Sequence, residues 1–154
     1  MSPVLTIPLQ LRFGDEDSYG HVNNVRFLQF LEDARVRLMH EARPEGSILD
    51  QMDVDHYTLV GRQEIEYLAP LNFSVTPAAV DLWVTRIGGS SYELGYAVRD
   101  QVELEGSTTS ALAATTMVLV SRSTGRPVRL PPGHRQLLDA RLGPAVPFRR
   151  ARGR

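Results

Sequence analysis

The densest run of chemically useful side chains is Asp15-Glu16-Asp17-Ser18-Tyr19-Gly20-His21-Val22-Asn23-Asn24. An aspartate carboxylate, ionised at neutral pH, can deprotonate a water molecule or attack a carbonyl carbon directly. The run ends where a helix is expected to begin. A helix amino terminus carries unpaired N–H groups and a partial positive charge, so it can hold a carboxylate or a developing oxyanion. A base or nucleophile and an oxyanion donor thus lie close together in the chain. The same residue types also suit an ordinary strand-to-helix turn, with Asn23 or Asn24 as the helix cap. Spacing alone leaves both readings open. His21, His40, His56 and His134 are scattered without ligand spacing, and no metal site is expected.

Two elements must position this loop. Before it, residues 4–13 alternate Leu5, Ile7, Leu9, Leu11 and Phe13 with Thr6, Pro8, Gln10 and Arg12, the period of a half-buried strand. Pro8 puts that strand at a sheet edge. After it, residues 24–41 change period. Phe27, Leu31, Ala34 and Leu38 recur at helical spacing, with Leu28, Phe30 and Met39 widening the stripe. Arg26, Gln29, Asp33 and Arg37 take the opposite side, where Asp33 and Arg37 are spaced to pair, and Pro44 and Gly46 end the helix.

Four further strand-like segments follow, at 59–67, 80–87, 92–103 and 111–120. The second and third of these, joined through Gly88-Gly89-Ser90, read as a hairpin. The fourth is nearly all apolar and reads as a strand covered on both faces. Beyond Ser123 the composition shifts to Pro, Gly and Arg, with a short helix at 132–141. The chain ends on Arg149, Arg150, Arg152 and Arg154. We expect one domain over 4–142 and a basic, disordered tail over 143–154. The class is α+β, one long helix with a five-stranded antiparallel sheet.

Composition narrows the chemistry. The chain has 154 residues, 42% of them hydrophobic, which suffices for one core. It contains no cysteine, so there is no thiolate nucleophile, disulfide framework or thiolate zinc site. All 17 basic residues are arginine, and without lysine a Walker-type loop and a Schiff base are excluded. The formal net charge of −1 argues against a nucleic-acid partner. No apolar run is long enough for a membrane helix and no leader is evident, so a cytoplasmic protein is expected.

With these residues in view, the run from Arg12 to Arg35 resembles the signature of hotdog-fold acyl-CoA thioesterases of the 4-hydroxybenzoyl-CoA thioesterase type. The matching features are Asp17-x-x-Gly20-His21-Val22-Asn23-Asn24, the aromatic and aliphatic positions after it, and an acidic residue ahead of Ala34-Arg35. Glu64-Ile65-Glu66-Tyr67-Leu68-Ala69-Pro70-Leu71 is similar to the family's second strand, and Gly89-Ser90-Ser91-Tyr92 to its third turn. The likeness covers residues 5 to 122.

The resemblance implies a hotdog fold, a central helix wrapped by the sheet, and hydrolysis of an acyl-CoA or acyl-carrier-protein thioester without metal or organic cofactor. It makes Asp17 the catalytic carboxylate, as general base or nucleophile. His21 and Asn23 shape the pocket or position water, and their reading as turn and cap residues stands beside that role. It maps a carbonyl-polarising backbone amide onto the opening of the second strand, at His56, Tyr57 and Thr58. Glu32 on the helix is a reserve carboxylate, with an ion pair to Arg35 as its alternative. Arg86, Ser90, Ser91 and Arg122 are candidates for the CoA phosphates. A homodimer or homotetramer with active sites at the subunit interface is implied. A hotdog-fold enoyl hydratase or dehydratase and a non-catalytic acyl-CoA-binding dimer are the alternatives.

Overall fold

A computed structural model describes residues 2–149. The chain runs through β1 (Leu5–Leu9), α1 (Asn24–Met39), β2 (His56–Tyr67), β3 (Ala78–Ile87), β4 (Ser91–Arg99), β5 (Thr109–Ser121) and α2 (Pro132–Asp139), with single 3-10 turns at Phe13–Asp15 and Leu49–Gln51. The five strands form one sheet in the order β1-β3-β4-β5-β2, every neighbouring pair antiparallel. The first two strands therefore occupy opposite edges, and α1, which connects them, must cross the sheet. Phe27, Phe30, Leu31, Ala34 and Leu38 bury its apolar stripe against Leu82, Val84, Leu94, Val98, Ala113 and Leu119. This is the expected α+β arrangement and the hotdog fold. No helix among the described residues is long and apolar enough to cross a membrane.

Local expectations hold where the interaction is local. Asn23 caps α1, its side chain accepting the Val25 N–H, and Arg37 donates to Asp33 at 3.0 Å. Pro8 lies in an edge strand, and β3 and β4 pair as a hairpin. Element ends differ more. The first strand stops at Leu9 rather than at residue 13, because Asp15 accepts the Arg12 N–H and draws the chain into a 3-10 turn. Leu11 enters the core and Phe13 is left exposed against Phe73. β4 ends at Arg99 rather than at residue 103. Its side chain pairs with Asp81 and donates to the carbonyls of Gln101, Val102 and Glu103, which holds the following segment as a loop.

The expected tail needs correction over residues 143–149. The Gly143 N–H donates to the Val84 carbonyl, the Trp83 indole donates to the Pro144 carbonyl at 2.7 Å, and Val146 packs on Trp83 and Ala114. The segment is a strap over the outer sheet face, because Trp83 points outward and would otherwise lie in water. Residues 150–154 of the expected tail lie outside the described residues.

Candidate active site

Asp17 stands in a two-stranded turn whose geometry follows from Gly20. The Asp17 N–H bonds the His21 carbonyl and the Gly20 N–H bonds the Asp17 carbonyl, both at 3.0 Å. Closing so short a loop puts Gly20 at φ 77°, a conformation natural to glycine. Outer anchors fix the turn to the segment after β2. Val22 N–H bonds the Leu71 carbonyl at 2.7 Å, and Glu16 accepts the Phe73 N–H at 2.7 Å.

The half-buried Asp17 carboxylate is only partly occupied. One oxygen accepts the Tyr19 N–H at 2.9 Å, and the other faces the Asn23 side-chain amide at 3.5 Å. Asn23 thus uses both ends of its amide, the oxygen to cap α1 and the nitrogen to face Asp17. The second carboxylate oxygen keeps most of its accepting capacity.

Asp17, Tyr19, His21, Phe27, Tyr67 and Leu71 are among the residues that line a cavity of about 440 Å³, within the usual range for small-molecule sites. The rings of Phe27 and Tyr67 meet edge to face at 5.3 Å. The Tyr67 hydroxyl donates to the Asn24 carbonyl at 2.9 Å, and burial raises its pKa, so it stays a donor. Asn24, the first residue of α1, also lines the cavity, and its backbone N–H has no partner among the described residues. The Val25 N–H is taken by the Asn23 cap. A carboxylate and the first residue of α1, whose N–H is free, therefore border the same cavity. That pair can activate water at a carbonyl and hold the resulting oxyanion.

Other predicted residues lie elsewhere. Glu32 is exposed on α1 and faces Arg35 at 3.9 Å, away from the cavity lining. Tyr57 and Thr58 sit at the opposite end of β2 from Tyr67, in register with Val120 and Leu119. The interval of ten residues spans about 30 Å, so within one chain their amides do not reach Asp17.

The phosphate candidates gather at that same far end. Arg122 lies over the Tyr57 ring at 4.7 Å, the Ser90 carbonyl accepts the Leu119 N–H, and Arg86 is exposed where β3 ends. Arg126 and Arg129, exposed just beyond β5, join this basic end, and Arg135 donates to the Gly88 carbonyl at its turn. None of these five arginines has a carboxylate partner among the described residues. Sequence reasoning missed Tyr67 and Arg126, while the helix-terminal amide it expected falls at Asn24. The composition shift beyond Ser123 marked where Arg126 falls, but nothing local showed that Leu71 folds back beside His21.

The model of the thioesterase-like superfamily matches residues 11–138. No curated protein matches the chain. Among solved structures, a Pseudomonas aeruginosa strain PAO1 protein is 28% identical with a TM-score of 0.72, over 92% of this chain and 93% of that one. A Thermus thermophilus thioesterase complexed with coenzyme A and Zn is 27% identical with a TM-score of 0.70, over 94% and 98%. A 1,4-dihydroxy-2-naphthoyl-CoA thioesterase from Synechocystis is 20% identical with a TM-score of 0.74, over 88% and 96%, a likeness of fold. No cluster of three or more metal-holding side chains occurs among the described residues. With most of its length matched by the family model, the chain belongs to the thioesterase-like superfamily and is a thioester hydrolase.

Proposed function

We propose that the chain hydrolyses acyl-CoA thioesters, with Asp17 as the catalytic carboxylate. The observation that carries this reading is the pairing of a lightly bonded Asp17 oxygen with the free Asn24 N–H at one apolar cavity. The acyl group enters between Phe27, Tyr67 and Leu71, and its carbonyl oxygen accepts from Asn24 N–H. Asp17 takes a proton from water as the water oxygen bonds the carbonyl carbon. The tetrahedral oxyanion then collapses, the carbon–sulfur bond breaks, and the thiolate takes up the proton. Direct attack by Asp17 would break the carbon–sulfur bond, release the thiolate and give an acyl anhydride; water then opens it to the free acid and the Asp17 carboxylate, and its other proton goes to the thiolate. Asn23 orients Asp17, and His21 at the exposed rim positions water.

CoA is the carrier this reading favours, supported by the unpaired arginines at the far end of the sheet and by the coenzyme A complex of the Thermus relative. Arg86, Arg122, Ser90 and Ser91 would receive the phosphates, joined by Arg126. These groups lie about 30 Å along β2 from Asp17, which a homodimer resolves. Leu119 turns its N–H to Ser90, away from β2, so Thr58 opposite it presents its own N–H to the open edge. Antiparallel pairing of two such edges would bring one chain's Asp17 loop beside the partner's Tyr57 and Thr58.

Free-thiol release over a panel of acyl-CoAs, with light scattering on the same sample, tests both parts. We expect turnover by a dimer or tetramer. Saturable acyl-CoA binding without thiol release would contradict the hydrolase assignment, and an active monomer would contradict the shared site.

A further inference from the structure

The interior of the fold contains a charge that the site above does not use. Arg35, on the sheet-facing side of α1, is 6% exposed, and its Nη1 is buried with no hydrogen-bond partner. The nearest carboxylate, Glu32, stands 3.9 Å from Nη2 and is itself 73% exposed, too distant to hydrogen-bond and well screened by water. A guanidinium out of water without a close anion is costly, and such groups are normally paired.

Its surroundings are polar as well. The Tyr96 hydroxyl is fully buried and unpartnered, although Arg35 and Thr115 stand beside it and oppose the rise in its pKa that burial causes. Thr115, also fully buried, reaches the side chain of Gln63 at 3.5 Å. Gln63 lies on β2, the open edge of the sheet, and is exposed.

One row of side chains on β2 runs between this cluster and the Asp17 cavity. On β2 the side chains of Gln63, Ile65 and Tyr67 share the inner face, and Val60 and Tyr67 stay 42% and 45% exposed because α1 leaves that edge uncovered. Tyr67 borders the Asp17 cavity and also a second depression of about 420 Å³, lined besides by Ile65 and by Glu64 and Glu66, which stops one residue short of Gln63. From Tyr67 to Gln63 is about 13 Å. We infer that Arg35, Tyr96, Thr115 and Gln63 form the distal end of the acyl site and receive a carboxylate at the far end of a medium-length acyl chain, so that the preferred substrates are ω-carboxyacyl thioesters. A terminal carboxylate would supply the anion Arg35 lacks and accept from the Tyr96 hydroxyl.

The inference rests on the thioesterase reading, and one experiment separates their failures. Adipoyl-, suberoyl- and sebacoyl-CoA are compared with hexanoyl-, octanoyl- and decanoyl-CoA by thiol release. The readout is the ratio of kcat/KM for each pair of equal length, which a loss of folded protein does not move. We expect the ω-carboxyl substrate to win by about tenfold or more at the best length, the scale of one hydrogen bond to a charge. Arg35→Met should abolish the preference and Tyr96→Phe should reduce it several-fold. A ratio at or below one at every length overturns the inference alone, and is also the result if a partner chain's carboxylate occupies Arg35. Release from none of the six thioesters overturns the inference, and only release from none of the wider acyl-CoA panel overturns the hydrolase assignment with it.

Discussion

Asp17 and Asn23 act as one unit, and the unit can be taken apart. Asn23 gives its oxygen to the helix and its nitrogen to Asp17. Removing the cap with Asn23→Ala should cost about 1 kcal/mol in urea unfolding and should lower kcat as Asp17 loses its neighbour. Asn23→Asp keeps a capping oxygen but sets a like charge beside Asp17. Stability should return while kcat stays low, whereas recovery of both would reduce Asn23 to a cap. Side chains whose partners are near in sequence were legible from spacing, among them Asn23, the Asp33–Arg37 pair and the Glu32–Arg35 contact. Tyr67 was not, because its hydroxyl finds Asn24 across 43 residues. The expected amide at Tyr57 and Thr58 rests on likeness to a loop, and its position along β2 puts it at the end away from the Asp17 of its own chain, where spacing gives no sign of a partner chain's site.

Among the elements, α2 is held by a group sensitive to acid. His134 is fully buried, neither ring nitrogen has a partner among the described residues, and its ring meets Tyr92 edge-on at 5.6 Å. Burial disfavours the charged form and lowers its pKa to about 4 from the ordinary value of 6.5. Between those values the unfolded chain binds the extra proton, so stability falls as pH drops from about 6.5 toward 4. The loss by pH 5 is about 2 kcal/mol from this residue. Urea midpoints at pH 7 and pH 5 should differ accordingly, and His134→Leu should flatten that difference. An undiminished difference would assign the acid sensitivity to other groups. Periodicity showed that each strand and helix exists, since alternation reports burial directly. It misplaced their ends, which are decided by side chains such as Asp15 and Arg99 acting on the backbone rather than by hydrophobic pattern.

At the scale of the whole molecule, the sheet is covered by α1 on one face and by the chain's own strap on part of the other. The strap depends on Gly95, where a Cβ would lie 2.8 Å from Thr85, Trp83 and Val146. Gly95→Ala should therefore destabilise by about 1–3 kcal/mol and shift the emission of Trp83, the single tryptophan, as Val146 is displaced. Unchanged emission and stability would mean that the strap gives way freely. An apolar run of Pro, Val and Phe among arginines looked like a tail because its partner, Trp83, lies 61 residues away. The same long-range folding sets Asp17 against Tyr67 at one end of β2 and the arginines at the other, which makes the proposed catalytic role of Asp17 the point on which the whole account turns. The direct measurement is kcat for thiol release from the best acyl-CoA by the wild type and by Asp17→Asn, an amide that keeps the shape and cannot take the proton. We predict a fall of roughly 100-fold or more with the fold intact by circular dichroism. Turnover at the wild-type rate would contradict the account.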